Sequence, residues 1–212
     1  MTTRSTETET DPAGARPSVS DLQRLVNQSR EQLLNTQDSV CLERARLVTE
    51  IYRRHEGDPV PIVRARAFAH VLHNMTLDLK TNPVFAGNTS SRPRAWMLVP
   101  EHGFGVAAQV ALENEGLETI LDGQIPRDLL DFWEDRSFGG NSGIGHLAVD
   151  FDRVVTQGLL AVLNEVRSRM NDGDEARRTT RRAMAIALQG VLDWAERYAR
   201  AAARAAEVEP DP

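Results

Sequence analysis

Leu22, Leu25, Val26, Leu33 and Leu34 recur at the spacing of one helical face. Ser20 followed by Gln23 has the spacing of a capping box, so a first helix is predicted to open near Ser18-Val19-Ser20. The preceding residues, 1–17, are polar and rich in Thr, Glu and Pro; they lack the apolar surface to offset ordering entropy and read as a disordered tail. A second helix is predicted over 40–54, where Leu42, Ala45, Leu47, Val48 and Ile51 form an apolar stripe and Glu43, Arg44, Arg46 and Glu50 a wet side. Gly57 and Pro59 stop it. A third follows over 61–75, with Pro61 in the first turn, where its missing N–H is not needed, and Ile62, Ala65, Ala69 and Leu72 on one side.

The texture then changes. Residues 76–104 hold Asn82-Pro83, Ala86-Gly87-Asn88, Arg92-Pro93 and Val99-Pro100, which predict loop with short extended pieces around Val84-Phe85 and Trp96 to Val99. A weak helix fits 106–114, and 116–146 is broken again, ending in the glycine-rich Gly139-Gly140-Asn141-Ser142-Gly143-Ile144-Gly145-His146. Two strong helical patterns close the chain, over 150–170 and from 175 to about 206, and 207–212 reads as a frayed tail. There is no internal repeat and no linker dividing the ordered part. The class is mainly α: one helical domain over 18–206 with a long irregular middle and short extended segments.

Composition narrows what such a domain does. With 41% hydrophobic and 26% charged residues the middle of the chain is able to bury a core, and 212 residues suit one domain. A formal charge of −6 argues against a nucleic-acid binder. No apolar run approaches the roughly 18 residues of a membrane span, and the opening residues hold no signal-peptide stretch. Cys41 is the single cysteine, which excludes an intrachain disulfide and a cysteine-cluster metal site. The expectation is a cytoplasmic protein that binds neither membrane nor nucleic acid.

Candidate chemistry is sparse. The run at 139–145 lacks the strand before it and the acidic residue after it that a dinucleotide fingerprint needs, and it lacks the Gly-Lys-Ser/Thr of a phosphate loop; a tight turn, or backbone approaching a ligand, fits it better. His70 and His73 stand three apart on a helix, but no third metal ligand accompanies them, so no metal is expected. His146 ends the glycine run just before a helix, where an imidazole packs the helix entry or donates to a substrate hydroxyl or carboxylate. Glu101-His102 reads as exposed loop, and Cys41 as a buried, inert thiol. Arg177, Arg178, Arg181 and Arg182 open the last helix, where positive charge opposes the helix dipole; a solvated face is the simpler reading and an acidic partner the other. These features alone name no reaction and no cofactor.

Several stretches, in order, resemble the N-terminal part of the glycyl radical enzymes, the pyruvate formate-lyase-like superfamily. Leu42-Glu43-Arg44-Ala45-Arg46-Leu47-Val48-Thr49-Glu50-Ile51-Tyr52 resembles its E-R-A-x-L-x-T-E-x-Y pattern, and Pro61-Ile62-Val63-Arg64-Ala65-Arg66-Ala67 is similar to its P-x-x-x-R-A segment. Gly87-Asn88-Thr89 through Pro93-Arg94-Ala95 is similar to V-G-N-x-T-x-x-P-R-A, and Val99-Pro100-Glu101 to F-P-E. Gly143-Ile144-Gly145-His146 with Asp150-Phe151, Val154 and Gly158-Leu159 is similar to G-x-G-H-x-x-x-D-Y-x-x-V-L-x-x-G-L, and Trp194 to Ala199 to the A-x-R-Y-A helix. The dehydratase and trimethylamine-lyase branch is the nearest in look, and the resemblance runs over about 40–205.

The resemblance implies the N-terminal helical region of the pyruvate formate-lyase fold, without its central barrel. It also implies what to look for and does not find it: neither the G-C-x-E loop that carries the thiyl cysteine nor the R-V-x-G-aromatic loop that carries the glycyl radical occurs among these residues. Cys41 lies in a helix motif where relatives carry an ordinary residue, so no catalytic residue is expected here. In polyol-dehydrating relatives a histidine beside such a glycine turn contacts a substrate hydroxyl, and His146 matches that position. Gly145, Asn88, Arg94 and Glu101 join it as expected substrate-binding residues. The family usually has a longer segment between Phe132-Trp133 and Gly143 than this chain does. Two readings follow. In one, the chain completes or supports a radical lyase or dehydratase whose barrel, cysteine and glycine loops are carried by a partner chain, or it self-associates. In the other, it is an inactive helical binding module with a small-molecule or partner cleft.

Overall fold

The computed structural model describes residues 18–37, 39–79, 87–102, 125–136 and 150–208. They are mainly helical, as the sequence predicts, with helix α1 at Val19–Asn35, α2 at Glu43–Arg54, α3 at Val60–Asn74, α4 at Arg127–Trp133, α5 at Phe151–Gln157, α6 at Leu159–Ser168 and α7 at Glu175–Val208. Strands β1 (Ser39–Cys41) and β2 (Ala95–Met97) form one parallel ladder, and Pro100–His102 is a 3-10 turn. No described helix is long and apolar enough to cross a membrane. The predicted tail at 1–17, the extended piece at Val84-Phe85, the weak helix at 106–114 and the glycine-rich run lie outside the described residues.

α3 is the centre of the fold. It packs chiefly on α7 and on α2, and it buries Val63, Ala65, Ala67, Ala69 and Val71. Burial at every second residue puts apolar surface on opposite sides of a helix, which suits one clasped between two neighbours. α2 turns Ala45, Val48, Thr49 and Ile51 inward. Leu98, just after β2, and Leu129 and Trp133 on α4 complete that core. α6 packs on α7, and Leu163 on α6 is fully buried.

The C-terminal end of α3 is closed from across the domain. Arg197 on α7 donates to the Leu72 carbonyl and, at 3.0 Å, to the Met75 carbonyl. The last carbonyls of a helix have no partner of their own and carry partial negative charge, so a guanidinium there both satisfies and stabilises them. Arg197→Met keeps the side-chain stem and removes both bonds; it is expected to destabilise the fold by about 2 kcal/mol in urea unfolding. An unchanged midpoint would show that the α3 end is satisfied by water instead.

Three predicted elements differ in the structure. The capping box uses Ser18 and Asp21 rather than Ser20 and Gln23: Ser18 is extended (φ −64°, ψ 162°), its hydroxyl accepts from the Asp21 amide at 3.2 Å, and Asp21 returns the bond to the Ser18 amide. Ser20 already lies inside the helix. The predicted helix over 40–54 starts at Glu43, because 39–41 pair with β2 in the register Val40 to Trp96; Cys41 therefore lies on a strand, not in a helix. The predicted helix over 150–170 is two helices broken at Gly158, whose φ of 78° and ψ of 155° are open only to glycine. α4 was not predicted.

α1 stands apart from this core. None of its residues is buried, and Val19, Leu22, Val26, Leu33 and Leu34 are exposed. Phe151 and Val155 on α5 and Leu160 on α6 are also exposed.

Candidate functional site

Arg44, Val48 and Tyr52 follow one another at four-residue steps along α2, so they share a face. Arg64, Ala67 and Phe68, at i, i+3 and i+4, share a face of α3. The 3-10 turn after β2 brings Glu101 to the same place, anchored by the buried Pro100. Together these residues line a cleft of about 310 Å³.

The polar half of the cleft is paired. Arg44 donates to both oxygens of Glu101, one bond measuring 3.0 Å. The two side chains are only 21% and 14% exposed, so solvent screens this bidentate pair weakly. Tyr52 is half-buried, and burial pushes its phenol pKa above the usual value, opposed by a hydrogen bond from Arg64. The phenol stays neutral at ordinary pH. The Tyr52 ring is held from behind by Trp133, with centroids 4.8 Å apart. The apolar half is Val48, Ala67 and the 46%-exposed Phe68. A second, wider cleft of about 570 Å³ lies between α2 and α4. Its ion pairs, Arg53 with Asp128 and Arg54 with Glu50, are roughly half exposed and correspondingly screened.

Of the residues expected from the sequence, the three that are described, Asn88, Arg94 and Glu101, stand in different surroundings. Glu101 lines the α2–α3 cleft. Asn88 instead organises its own loop: its amide donates to the Thr76 carbonyl at 2.9 Å and the Ser90 carbonyl at 2.6 Å, and its Oδ1 accepts from the Asp78 amide and the Tyr198 hydroxyl. Arg94, with φ of 51°, donates to the Leu33 carbonyl at the end of α1 at 3.2 Å. Gly145 and His146 lie outside the described residues. Arg44, Tyr52, Arg64 and Phe68 were not singled out from the sequence, although their helical spacing, eight apart on α2 and four apart on α3, was visible there.

The remaining candidates are occupied locally. His70 meets Glu50 at 3.1 Å and His73 meets Asp193 at 2.8 Å, so the two imidazoles face carboxylates on different helices. Among the described residues no group of three or more His, Cys, Asp or Glu could hold a metal ion. Cys41 is buried, with its sulfur 3.2 Å from the Ser91 hydroxyl. Arg178 and Arg182 pair with Glu175, and the hydrogen bond from Arg178 is the main cause that holds the Glu175 carboxyl below its usual pKa. Arg181 donates to the Asp172 carbonyl. Arg178 and Arg182 thus meet their counter-charge at Glu175 in the first turn of α7, and Arg181 a carbonyl just before it.

Comparison with known proteins places this geometry. The family model Pyruvate formate lyase-like matches residues 19–212. Probable dehydratase YbiW of Escherichia coli (strain K12) is 30% identical over 62% of this chain and 20% of its own length. The (2S)-3-sulfopropanediol dehydratase of Klebsiella oxytoca is 25% identical over 88% of this chain and 28% of its own. The glycerol-bound B12-independent glycerol dehydratase from Clostridium butyricum superposes with a TM-score of 0.72 at 21% identity, covering 89% of this chain and 29% of that one. The chain thus spans less than a third of the length of these relatives. The alignment with the Klebsiella protein extends over 231 positions, more than the 212 residues present, so that relative carries residues this chain lacks.

Proposed function

From the premise that this chain belongs to the pyruvate formate lyase-like family, we propose that it serves as the helical shell of a glycyl radical lyase or dehydratase whose barrel, thiyl cysteine and glycyl loop are carried by a partner chain. The match over 19–212 to a family whose dehydratase relatives are more than three times longer carries this reading. The exposed apolar positions support it. Val26 and Leu34 on α1, and Phe151 and Val155 on α5, are between half and four-fifths exposed, and apolar rows of this kind are surfaces that another body covers. The only cysteine, Cys41, is buried on β1 against Ser91, which suits a strand thiol and not a hydrogen-abstracting one.

The test is sedimentation of the chain alone and mixed with a chain that carries the G-C-x-E and R-V-x-G-aromatic loops, with a dye for exposed apolar surface in both samples. The chain alone is expected to bind dye or self-associate, and the mixture to form a defined complex in which the dye signal falls. A dye-negative monomer that ignores the second chain would sink the shell reading. It would leave the inactive binding module, which the paired, half-buried α2–α3 cleft favours.

A further inference from the structure

We propose that α5 is a strap hinged at Gly158: Arg153 latches it to Glu165 in the bent state, and on release α5 and α6 become one straight helix that lays Phe151 and Val155 along the exposed end of α7. This goes beyond the family reading and is a property of the chain alone.

The hinge is specific. Gly158 ends α5 and opens α6 with φ 78° and ψ 155°, a region that side chains disfavour. A Cβ placed there would meet nothing within 4 Å, so the position needs glycine for its backbone angles and not for space. The break also leaves α6 without a side-chain cap, although the first amides of a helix have no carbonyls of their own. Across the break the apolar positions keep helical phase: Phe151, Val155, Leu159, Val162 and Val166 recur at steps of three and four. The pattern suits one straight helix, and a single glycine bends it.

The latch belongs to the bent state. Arg153 on α5 donates to Glu165 on α6, twelve positions on. In a straight helix such positions stand about 18 Å apart along the axis, beyond the reach of that pair. The latch also opens easily. Both side chains are more than a third exposed, so solvent screens them, and Glu165 keeps Arg169 at 3.4 Å when Arg153 leaves. The bent state buries little in return: no residue of α5 is buried, and Phe151 and Val155 are 69% and 82% exposed.

The straight state has a surface to lie on. Arg178 meets the Gly173 carbonyl, Arg181 the Asp172 carbonyl, and Arg167 donates to Gln189 at 2.9 Å. As the chain is followed back from 173 to 167, its neighbours on α7 therefore run forward from 178 to 189, so α6 lies antiparallel to α7. Continued without the bend, that line carries α5 toward the last turns of α7, where no residue after Tyr198 is buried. Two arrangements of one element, separated by a weak ion pair and one glycine, make a two-state device.

Spin labels on Asp152→Cys and Ser168→Cys, both exposed positions, report the bend in the full chain by pulsed electron resonance; Cys41 is buried and stays unlabelled. A straight helix sets the two backbone positions about 24 Å apart, and the parent is expected to be shorter. Glu165→Gln and Gly158→Ala are each expected to move most molecules to the longer distance, the first by removing the latch and the second because alanine is disfavoured at the hinge angles. A second label pair, Asp152→Cys with Arg204→Cys, is expected to shorten in the same variants. A parent already at the longer distance, either variant keeping the parent's distance whatever its melting temperature, or a longer first distance without a shorter second one would overturn the strap. None of these outcomes bears on the shell reading, which sedimentation decides separately.

Discussion

Trp133→Ala is expected to cost about 3–5 kcal/mol of stability, the range for emptying a fully buried aromatic site. Trp133 is 2% exposed and docks α4 onto α2. Its ring meets Tyr52 at 4.8 Å and Phe132 edge-on at 5.3 Å. Its indole N–H donates to the Thr49 hydroxyl at 2.8 Å, and that hydroxyl donates in turn to the Ala45 carbonyl at 2.6 Å. Thr49 is only 1% exposed, so removing the indole leaves a lone pair without a partner as well as a cavity. Trp133→Phe separates the two contributions. It keeps much of the ring and loses the donor, and adding Thr49→Val removes the stranded acceptor. The cycle should show a coupling of about 1 kcal/mol. Urea unfolding with an unchanged slope is the measurement. A loss below about 1 kcal/mol for the alanine variant would mean that α4 does not belong to this core.

What the sequence disclosed of this arrangement follows from which interactions are local. α3 and α7 are legible because their apolar positions repeat over many turns and their stops are chemical: Pro61 near one start, Gly57 and Pro59 before it. The strand at Val40 was hidden because its partner lies at Trp96; a short ladder has no periodicity of its own, and the apolar stripe of α2 runs into it without a break. α4 was missed for a related reason. Its seven residues are too few for a helical period to declare itself, and its anchor, Trp133, is fixed by Thr49, far back in the chain. The family motifs singled out Glu101 and Asn88 together, without separating their tasks. Asn88 spends its amide on Thr76, Ser90, Asp78 and Tyr198, whereas Glu101 faces a cleft. That distinction depends on which helix each turn leans against, which no spacing records. Arg44, Tyr52 and Arg64 lay in quoted motifs and on consistent helical faces. Only the crossing of α2 and α3 turns those faces toward each other.

Gly190→Val is expected to destabilise the fold by about 3 kcal/mol, at the upper end of overpacking in a closed core. Gly190 sits in α7 where it crosses α3, and a Cβ placed there would lie 2.9 Å from both the Cα and the Cβ of Ala69. Ala69 is itself buried, and its Cα is backbone, so relief requires α7 to move away from α3. That movement would carry other contacts with it. Trp194, one turn on, covers Gly87, Arg197 staples the end of α3, and Tyr198 donates to Asn88. The face that begins at Gly190 therefore also holds the 87–94 loop in place. Gly190→Ala should be milder, about 1–2 kcal/mol, because alanine returns up to about 1 kcal/mol of helix propensity. Combining it with Ala69→Gly moves the missing methyl to the other helix and should recover part of the loss, a recovery that a propensity effect alone would not produce. Thermal unfolding of the four proteins decides it. If Gly190→Val melts with the parent, the close approach of α3 and α7 is not what holds this domain together, and the loop that carries Asn88 must be anchored by some other contact.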